Sequence, residues 1–459
     1  MSKAQEKKAA DGVGVLNADA AGLDVGSEEI FACVPVESCE QSVQCFGTFT
    51  PDLKALGAWL IACGIKTVAL ESTGVYWIPV FEVLESYGLQ ICLVNAHHIK
   101  NVPGRKSDVK DCQWIQRLHS CGLLSASFIP DPEIRALRSY LRQRQSLLDY
   151  RAGHIQPMHK ALQQMNLQLN QVLSDITGVT GMQLLRAIVA GERNPQELAR
   201  FRNANCASSQ EEIAKALTGN YRSEHVFSLQ QALTLYDAYS AQITLCDQEI
   251  EKQYTLFKPH FTQEGLPPLA PLPKSNSHSK NQPNFDVRSQ LYRLVGVDLI
   301  AVNGLSDSTA QTILAEIGTD MSRFPTSKRF CSWLGLAPHN DISGGKILHS
   351  RILKTHNRAG QAFRLAARSL ARSQTPLGLY YRRMRARVGP KQAIVATAHK
   401  LAKTVYAMLT KRTPFRELST QEYEQDYQQR QIKNLQRKAT KLGFTLSPTT
   451  NSVSIAIST

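Results

Sequence analysis

Four acidic residues stand where metal-dependent chemistry would need them. Asp24 lies in the run GLDVG and Glu71 in VALESTG, each at the end of an apolar, strand-like stretch. Asp108 and Asp111 follow in SDVKDCQW, three positions apart, a spacing that puts both carboxylates on one helical face. A cluster of four carboxylates repels itself unless cations neutralise it. Donors that are all oxygen select Mg²⁺ or Mn²⁺, which favour octahedral oxygen coordination. Two such ions held about 3.5–4 Å apart stabilise the attacking and leaving oxygens of phosphoryl transfer. The chemistry this predicts is cleavage of a phosphodiester.

Each acid also has an ordinary reading. GLDVG would suit the phosphate turn of an actin-like sugar kinase, but the later GVDL at 296–299 lacks the glycine of a second such loop. Glu71 could end a strand at the surface, and a DxxD pair is commonly a solvated helix face. What separates these readings is the order of the elements that carry the acids.

Residues 19–30, then IFACVPV and SVQCFGTFT, read as a meander of three short strands separated by polar turns. Residues 51–64 have apolar positions at Leu53, Leu56, Leu60 and Ile61, a helical spacing with Pro51 at the start. KTVALE is a buried-type strand, 76–87 a helix, LQICLVNA another strand, and SDVKDCQWIQRLHSCG a closing helix ended by Gly122. The order β-β-β-α-β-α-β-α is the layout of a ribonuclease H-like domain. The first and fourth strands are neighbours in that layout and the last helix crosses their ends, so the four acids converge.

The chain has 459 residues, enough for two or three domains, and its 42% hydrophobic and 20% charged content is that of a globular protein. Apolar runs such as 58–65 and 91–94 are too short to span a bilayer, and the N-terminal MSKAQEKKAADGVGV has no apolar signal core. The expectation is a cytoplasmic protein, associated with the nucleoid when it acts and without a membrane partner. Its ten cysteines occur singly with no CxxC pair, which argues against structural zinc and for reduced thiols.

Charge is strongly segregated. Between positions 321 and 412 there are nineteen Lys or Arg and a single acid, Asp341, so this segment alone exceeds the chain's net +15. A one-sign block of this kind implies a polyanionic partner, nucleic acid.

The expected organisation is α/β plus α. It comprises a catalytic domain at 17–130, a helical, coiled-coil region at 131–257, a linker rich in Pro, Ser and Asn at 258–289, a mainly helical basic domain at 290–412, and a polar tail at 413–459. The last domain opens with LIAVNGLSDSTAQTILAEIG, which reads as helix, turn and helix, capped by Asp307 or Ser308. A helix-hairpin-helix of this type grips DNA backbone through turn amides, although Ser306 replaces its usual second glycine. Ser343 precedes two glycines in DISGGK, with His339 and His349 not far off, and by spacing alone it is a turn serine. Expected nucleic-acid contacts are Lys346, Arg351, Lys354, Arg358, Arg364, Arg368, Arg372, Arg382 and Arg383, with Tyr380 and Tyr381 available for stacking.

The runs GLDVG, VALESTGVYW and LVNAHHIKNVPGRKSDVKDCQWI resemble the N-terminal DEDD domain of the insertion-sequence-110 family of transposases, relatives of pilin-gene invertases. LAEIG, FCSWLGLAPHNDISGGK and ILKTHNRAGQAFR resemble that family's C-terminal domain. The resemblance implies a RuvC-like nuclease fold at the N-terminal end and makes Asp24, Glu71, Asp108 and Asp111 the family's four acids, holding Mg²⁺ or Mn²⁺. It also implies that Ser343 is a nucleophile that links covalently to DNA. A structured bridge RNA that selects DNA sites, and a dimer or tetramer in which the acids of one copy meet the serine of another, follow from the same resemblance. Cys112 stands where the family commonly has alanine, and KILHSRILKTHNRAG follows the family's Gly-and-Lys pattern loosely. Two other functions suit the same residues: a junction-resolving nuclease that uses water as nucleophile, and a non-catalytic nucleic-acid-binding protein.

Overall fold

The computed structural model describes residues 14–72, 74–95, 108–258, 266–271, 280–352 and 357–447, and the side chains of Asp108, Val109, His339 and Ser350 are outside that description. The N-terminal segment through residue 13, Lys354, residues 259–265 and 272–279 of the proposed linker and the end of the tail therefore lie outside the described residues. The chain forms two compact units, Met1–Ile129 and Pro130–Thr459.

The first unit is built on strands β1 (Ala20–Val25), β2 (Glu29–Cys33), β3 (Val43–Gly47), β4 (Thr67–Glu71) and β5 (Gln90–Val94), with helices α1 (Thr50–Ala62), α2 (Trp77–Ser86) and α3 (Asp108–Ser120). The sheet order is β3-β2-β1-β4-β5. β1 runs antiparallel to β2 and parallel to β4, and β4 is parallel to β5. β1 and β4 are neighbours, as the element order predicts. Strand alternation divides the sheet into two faces. Ala21, Leu23, Val25, Val68 and Leu70 pack with Leu53, Leu56 and Leu60 of α1 and with Val80 and Leu84 of α2. The opposite face, bearing Gly22, Asp24, Ala69 and Glu71, receives α3. There Ala69, Val94 and Ile115 form a smaller cluster.

α3 sits unusually close to β1. A Cβ on Gly22 would lie 2.2 Å from the Gln116 backbone nitrogen and 2.5 Å from the Cys112 carbonyl oxygen. Glycine is required here because backbone, rather than a flexible side chain, occupies the space. The far end of the helix is fixed by polar bonds. Gln116 Nε2 donates to the Ala20 carbonyl at 3.2 Å, Asn17 Nδ2 donates to the His119 carbonyl at 2.8 Å, and His119 Nε2 lies 2.9 Å from Thr67 Oγ1.

The second unit is helical apart from one hairpin. α4 (Pro132–Gly153) packs along α10 (Ser223–Leu256), and a buried Arg144–Asp247 ion pair joins them. The extended helices expected of the 131–257 region are broken in its first half. α5 (Ile155–Gln164) and the short α6 (Leu169–Val172) are separated by Asn166 in the left-handed region, φ 56°. Met158, Leu162, Met165 and Leu169 close a compact core with Leu184, Leu185 and Ile188 of α7 (Val179–Val189) and with Leu229 and Leu233 of α10. α8 (Pro195–Ala199) and α9 (Gln210–Ala216) complete it. Burial in that core, rather than a continuous helical seam, claims the apolar positions.

Beyond this core come α11 (Val287–Val295), α12 (Asp307–Ile317), α13 (Ser327–Trp333), the hairpin β6 (Pro338–Ser343) and β7 (Lys346–Ile352), α14 (Arg358–Ser369), α15 (Pro376–Val388), α16 (Pro390–Lys411) and α17 (Thr420–Lys441). The helix expected just before α12 is not formed. Residues 299–304 make turns, with Asp298 Oδ1 accepting from the Ile300 and Ala301 amides. The cap of α12 is Ser306, whose Oγ accepts from the Thr309 amide, not Asp307 or Ser308. The serine that departs from the expected glycine is thus the capping residue. Among the described residues no helix is long and apolar enough to cross a membrane.

Two measurements check how α3 is held. Gly22→Ala should lower stability by about 3 kcal/mol, the cost of forcing a methyl into filled space, read as a shift in the urea midpoint; an unchanged midpoint would show that the helix is free to retreat. Burial pushes the His119 imidazole below its ordinary 6.5, so the native state resists a proton that the unfolded chain accepts. Stability is then fully present above about pH 6.5 and is lost as pH falls through that value toward the native pKa. His119→Gln should flatten this slope between pH 7.5 and 5.5, and equal slopes in the two proteins would refute the assignment.

Candidate functional site

Asp24 and Glu71 are side by side by sheet register. The β1–β4 pairing runs to Leu23 opposite Leu70, so the next residue on each strand is one of the two acids. Both therefore project from the α3 face, at the C-terminal ends of two parallel strands. Glu71 is 8% exposed. A carboxylate that sheltered, next to a second one, is costly unless positive charge reaches it.

α3 brings the other two positions to the same edge. Cys112, Ile115 and His119 are buried, a spacing that defines the stripe facing the sheet. Asp111 directly precedes Cys112, and its Oδ1 is buried from solvent. Asp108 begins the helix one turn earlier, and its side chain lies outside the described residues. The Cys112 thiol reports the local electrostatics. Its hydrogen bond with Cys33 raises its pKa most, followed by burial, and the Asp24 carboxylate raises it further. Asp24 thus acts on the residue adjacent to Asp111.

As a donor set the acids are all carboxylate oxygen, which fits a hard divalent cation and does not fit zinc. Among the described residues, no group of three or more His, Cys, Asp or Glu side chains is close enough to hold a metal ion. The structure joins Asp24 and Glu71 and lays α3 across them, while the fourth carboxylate is not described.

Ser343 belongs to the second unit. It pairs with Lys346 across a two-residue turn, where Gly344 and Gly345 have φ of 55° and 75°. Two consecutive positive φ values define a type I′ hairpin turn and explain the Gly-Gly. Ser343 is exposed, as are Ile342, Ile347 and Leu348 around it. His349 is paired with Asp341 along the hairpin, and Arg351 also lies 3.7 Å from the Asp341 carboxylate.

The expected nucleic-acid contacts divide into two groups. Lys346, Arg351, Arg358, Arg368 and Arg372 are exposed. Three others are occupied within the fold. Arg364 Nη2 donates to the Gly335 carbonyl at 2.7 Å, and burial lowers its pKa. Arg382 Nη1 donates to the Ser373 carbonyl at 2.6 Å. Arg383 bonds Glu424 at 3.0 Å and stacks 4.0 Å from the Tyr427 ring centroid, tying α17 to α15. Of the two tyrosines, Tyr381 is buried and Tyr380 lies 4.6 Å from the Lys400 ammonium. What the sequence reading missed is Arg135, Arg138 and Arg142 on α4, spaced to share a helix face; the signal was present in RALRSYLRQR but outside the strongly basic segment.

Comparison with known proteins supplies the family. A model described as "Transposase", for the DEDD domain of IS110-type elements, matches residues 21–167. A second, described as "Transposase IS116/IS110/IS902 family", matches residues 298–382. A "Probable family 20 transposase" of Pseudomonas aeruginosa is 30% identical over 129 residues, a stretch covering 26% of this chain and 36% of that protein. The two models match in the order in which the acids and the Ser343 hairpin occur, and together they span about half the sequence. The chain belongs to the IS110 family of transposases.

Proposed function

We propose that the chain is a DNA transposase that cleaves and rejoins DNA, using the acids of a RuvC-like first unit and Ser343 of the second. The observation that carries this reading is the juxtaposition of Asp24 and Glu71 at adjacent strand ends beneath the helix bearing Asp108 and Asp111. Family membership supplies the reaction class.

Asp24, Glu71, Asp108 and Asp111 would hold Mg²⁺ or Mn²⁺. When bound, the cation supplies Lewis acidity toward the phosphate and screens the carboxylates from one another. Ser343 Oγ loses its proton and attacks phosphorus; an Oγ–P bond forms and the bond to one deoxyribose oxygen breaks, the leaving oxygen taking a proton. A hydroxyl from a second DNA end then displaces the serine and restores its proton, so the number of phosphodiester bonds is conserved. The exposed turn lets the hydroxyl reach a backbone that α-helical side chains could not approach as closely.

Two further elements of the reading come from the resemblance, namely selection of sites by a structured guide RNA and a homo-oligomer in which acids and serine come from different copies. The exposed aliphatic residues of the hairpin support the second, because a two-stranded hairpin is marginally stable alone and Ile342, Ile347 and Leu348 are 63%, 59% and 60% exposed.

A strand-transfer assay on element-end DNA tests the proposal. Asp24→Asn and Glu71→Gln should each reduce cleavage by on the order of 10³-fold while leaving DNA binding in place. Chelation of divalent ions should abolish cleavage reversibly. Ser343→Ala should eliminate the covalent protein–DNA adduct seen on denaturing gels. Full-rate cutting by Ser343→Ala would instead favour the junction-resolving nuclease, with water as nucleophile. Undiminished recombination by Asp24→Asn would overturn the catalytic role of the acids, and DNA binding without any strand-transfer product from the wild type would leave only a nucleic-acid-binding protein.

A further inference from the structure

A groove between α4, α12 and α14 of the second unit gathers positive charge on elements that carry neither Ser343 nor the acids. It is open to solvent, has a volume of about 600 Å³, and is lined by Arg138 and Arg142 from α4, Ser308 and Thr312 from α12, and Arg358 and Gln361 from α14.

The ion pairs inside it do not balance. Glu316 is the groove's one lining carboxylate. Arg142 bonds it at 2.8 and 3.1 Å, and Arg138 lies 3.4 Å away. Arg138 also donates to the Ala315 and Glu316 carbonyls at 3.0 and 3.1 Å, which caps the C-terminal end of α12 and fixes this guanidinium in place. Of the other two lining arginines, Arg144 is matched by Asp247 and Arg358 is exposed. Burial lowers the Arg138 pKa, Glu316 opposes that, and Arg142, Arg135 and Arg358 lower it again. Arg138, Arg142 and Arg358 therefore share the groove with Glu316 as its one lining carboxylate. An internal ion-pair network would be neutral, whereas this one retains positive charge that an incoming anion would relieve.

Helix geometry adds to the field. Ser308 and Thr309 lie in the first turn of α12, and Arg358 and Gln361 in the first turn of α14, so two positive helix ends border the groove. Asp307, the acid in that first turn, is engaged by Gln282, and burial raises its pKa. The planar guanidinium fork matches the paired oxygens of a phosphate. An apolar small molecule would find charged and hydroxyl groups here, while a phosphodiester backbone meets donors along the length of an open trough.

We propose that this groove binds the phosphodiester backbone of a nucleic acid, with Arg142 and Arg358 as its two exposed contacts and Arg138 as a fixed one. The inference rests on the nucleic-acid reading above but not on its chemistry. Because Arg142 and Arg358 are solvent-exposed, replacing them does not open the core.

Binding of the full chain to a short DNA duplex and to an RNA hairpin should be measured by anisotropy between about 50 and 200 mM salt. The double variant Arg142→Gln/Arg358→Gln should bind about tenfold more weakly at the higher salt and show a salt slope shallower by about two. Arg186→Gln, which removes an exposed arginine paired with Asp237 on α7 and α10, should leave both quantities unchanged. A change confined to the duplex assigns the groove to DNA, and one confined to the hairpin assigns it to RNA. Equal slopes for wild type and double variant on both ligands would overturn the groove while leaving the transposase reading intact. A groove effect in a protein that forms no strand-transfer product would do the reverse.

Discussion

The approach of α3 to β1 at Gly22 is the constraint on which the first unit depends. Removing one Cβ lets the helix backbone settle directly on the strand, 2.2 Å from where that atom would stand. Everything at the acidic edge is referred to this contact. Asp24 is two residues along the same strand and hence on the same face. Asp111 and Cys112 lie one turn from Gln116 toward the helix start. Hydrogen bonds from Gln116 to Ala20 and between His119 and Thr67 anchor the other end. A helix held at one end by backbone contact and at the other by buried polar bonds has little freedom to swing, so the carboxylates' separation is set by packing rather than by their own mutual repulsion.

The same economy of position explains why net charge is a poor guide to which cations face a ligand. The segment 321–412 is overwhelmingly basic, yet Arg364, Arg382 and Arg383 hold carbonyls, an acid or an aromatic face of their own unit. An arginine that donates to a helix-end carbonyl is part of the scaffold; removing it would leave that carbonyl unsatisfied. Arginines outside the segment, on α4, contribute to the groove between α4, α12 and α14. Composition therefore points to a polyanionic partner, whereas only geometry separates exposed arginines from structural ones.

Much of the first unit was legible because its signals are local and mutually consistent. Short strands ended by turns, a proline-started helix and an apolar spacing in α1 each indicate their element, and the β-β-β-α-β-α-β-α order placed β1 beside β4 and so Asp24 beside Glu71. The close contact at Gly22 was not legible, since a glycine in a strand looks the same whether a helix or water lies above it. In the second unit, periodicity indicated helix within 131–257 but not where it breaks. Whether Met158 and Leu162 line a seam or a compact core depends on Leu184 and Leu229, far away in sequence. Ser306 was passed over as a cap because it stood where a glycine was expected.

The hairpin bearing Ser343 extends this logic to the proposed chemistry. Gly344 and Gly345 are explained by the turn itself, because their positive φ values are what a two-residue hairpin requires. The serine and the exposed aliphatic residues are not explained by it. A serine hydroxyl in water is a weak nucleophile and must be activated by a neighbouring group or a cation, and water around an exposed tip would compete with it for phosphorus. Both difficulties are met if the hairpin docks with its aliphatic residues against another surface that brings carboxylates and excludes solvent. Under that proposal, an idle transposase keeps nucleophile and activator on separate surfaces, and the chemistry begins only when assembly on DNA joins them. A fold that keeps Glu71 sheltered and Ser343 exposed is suited to such an arrangement, since neither group would cut alone.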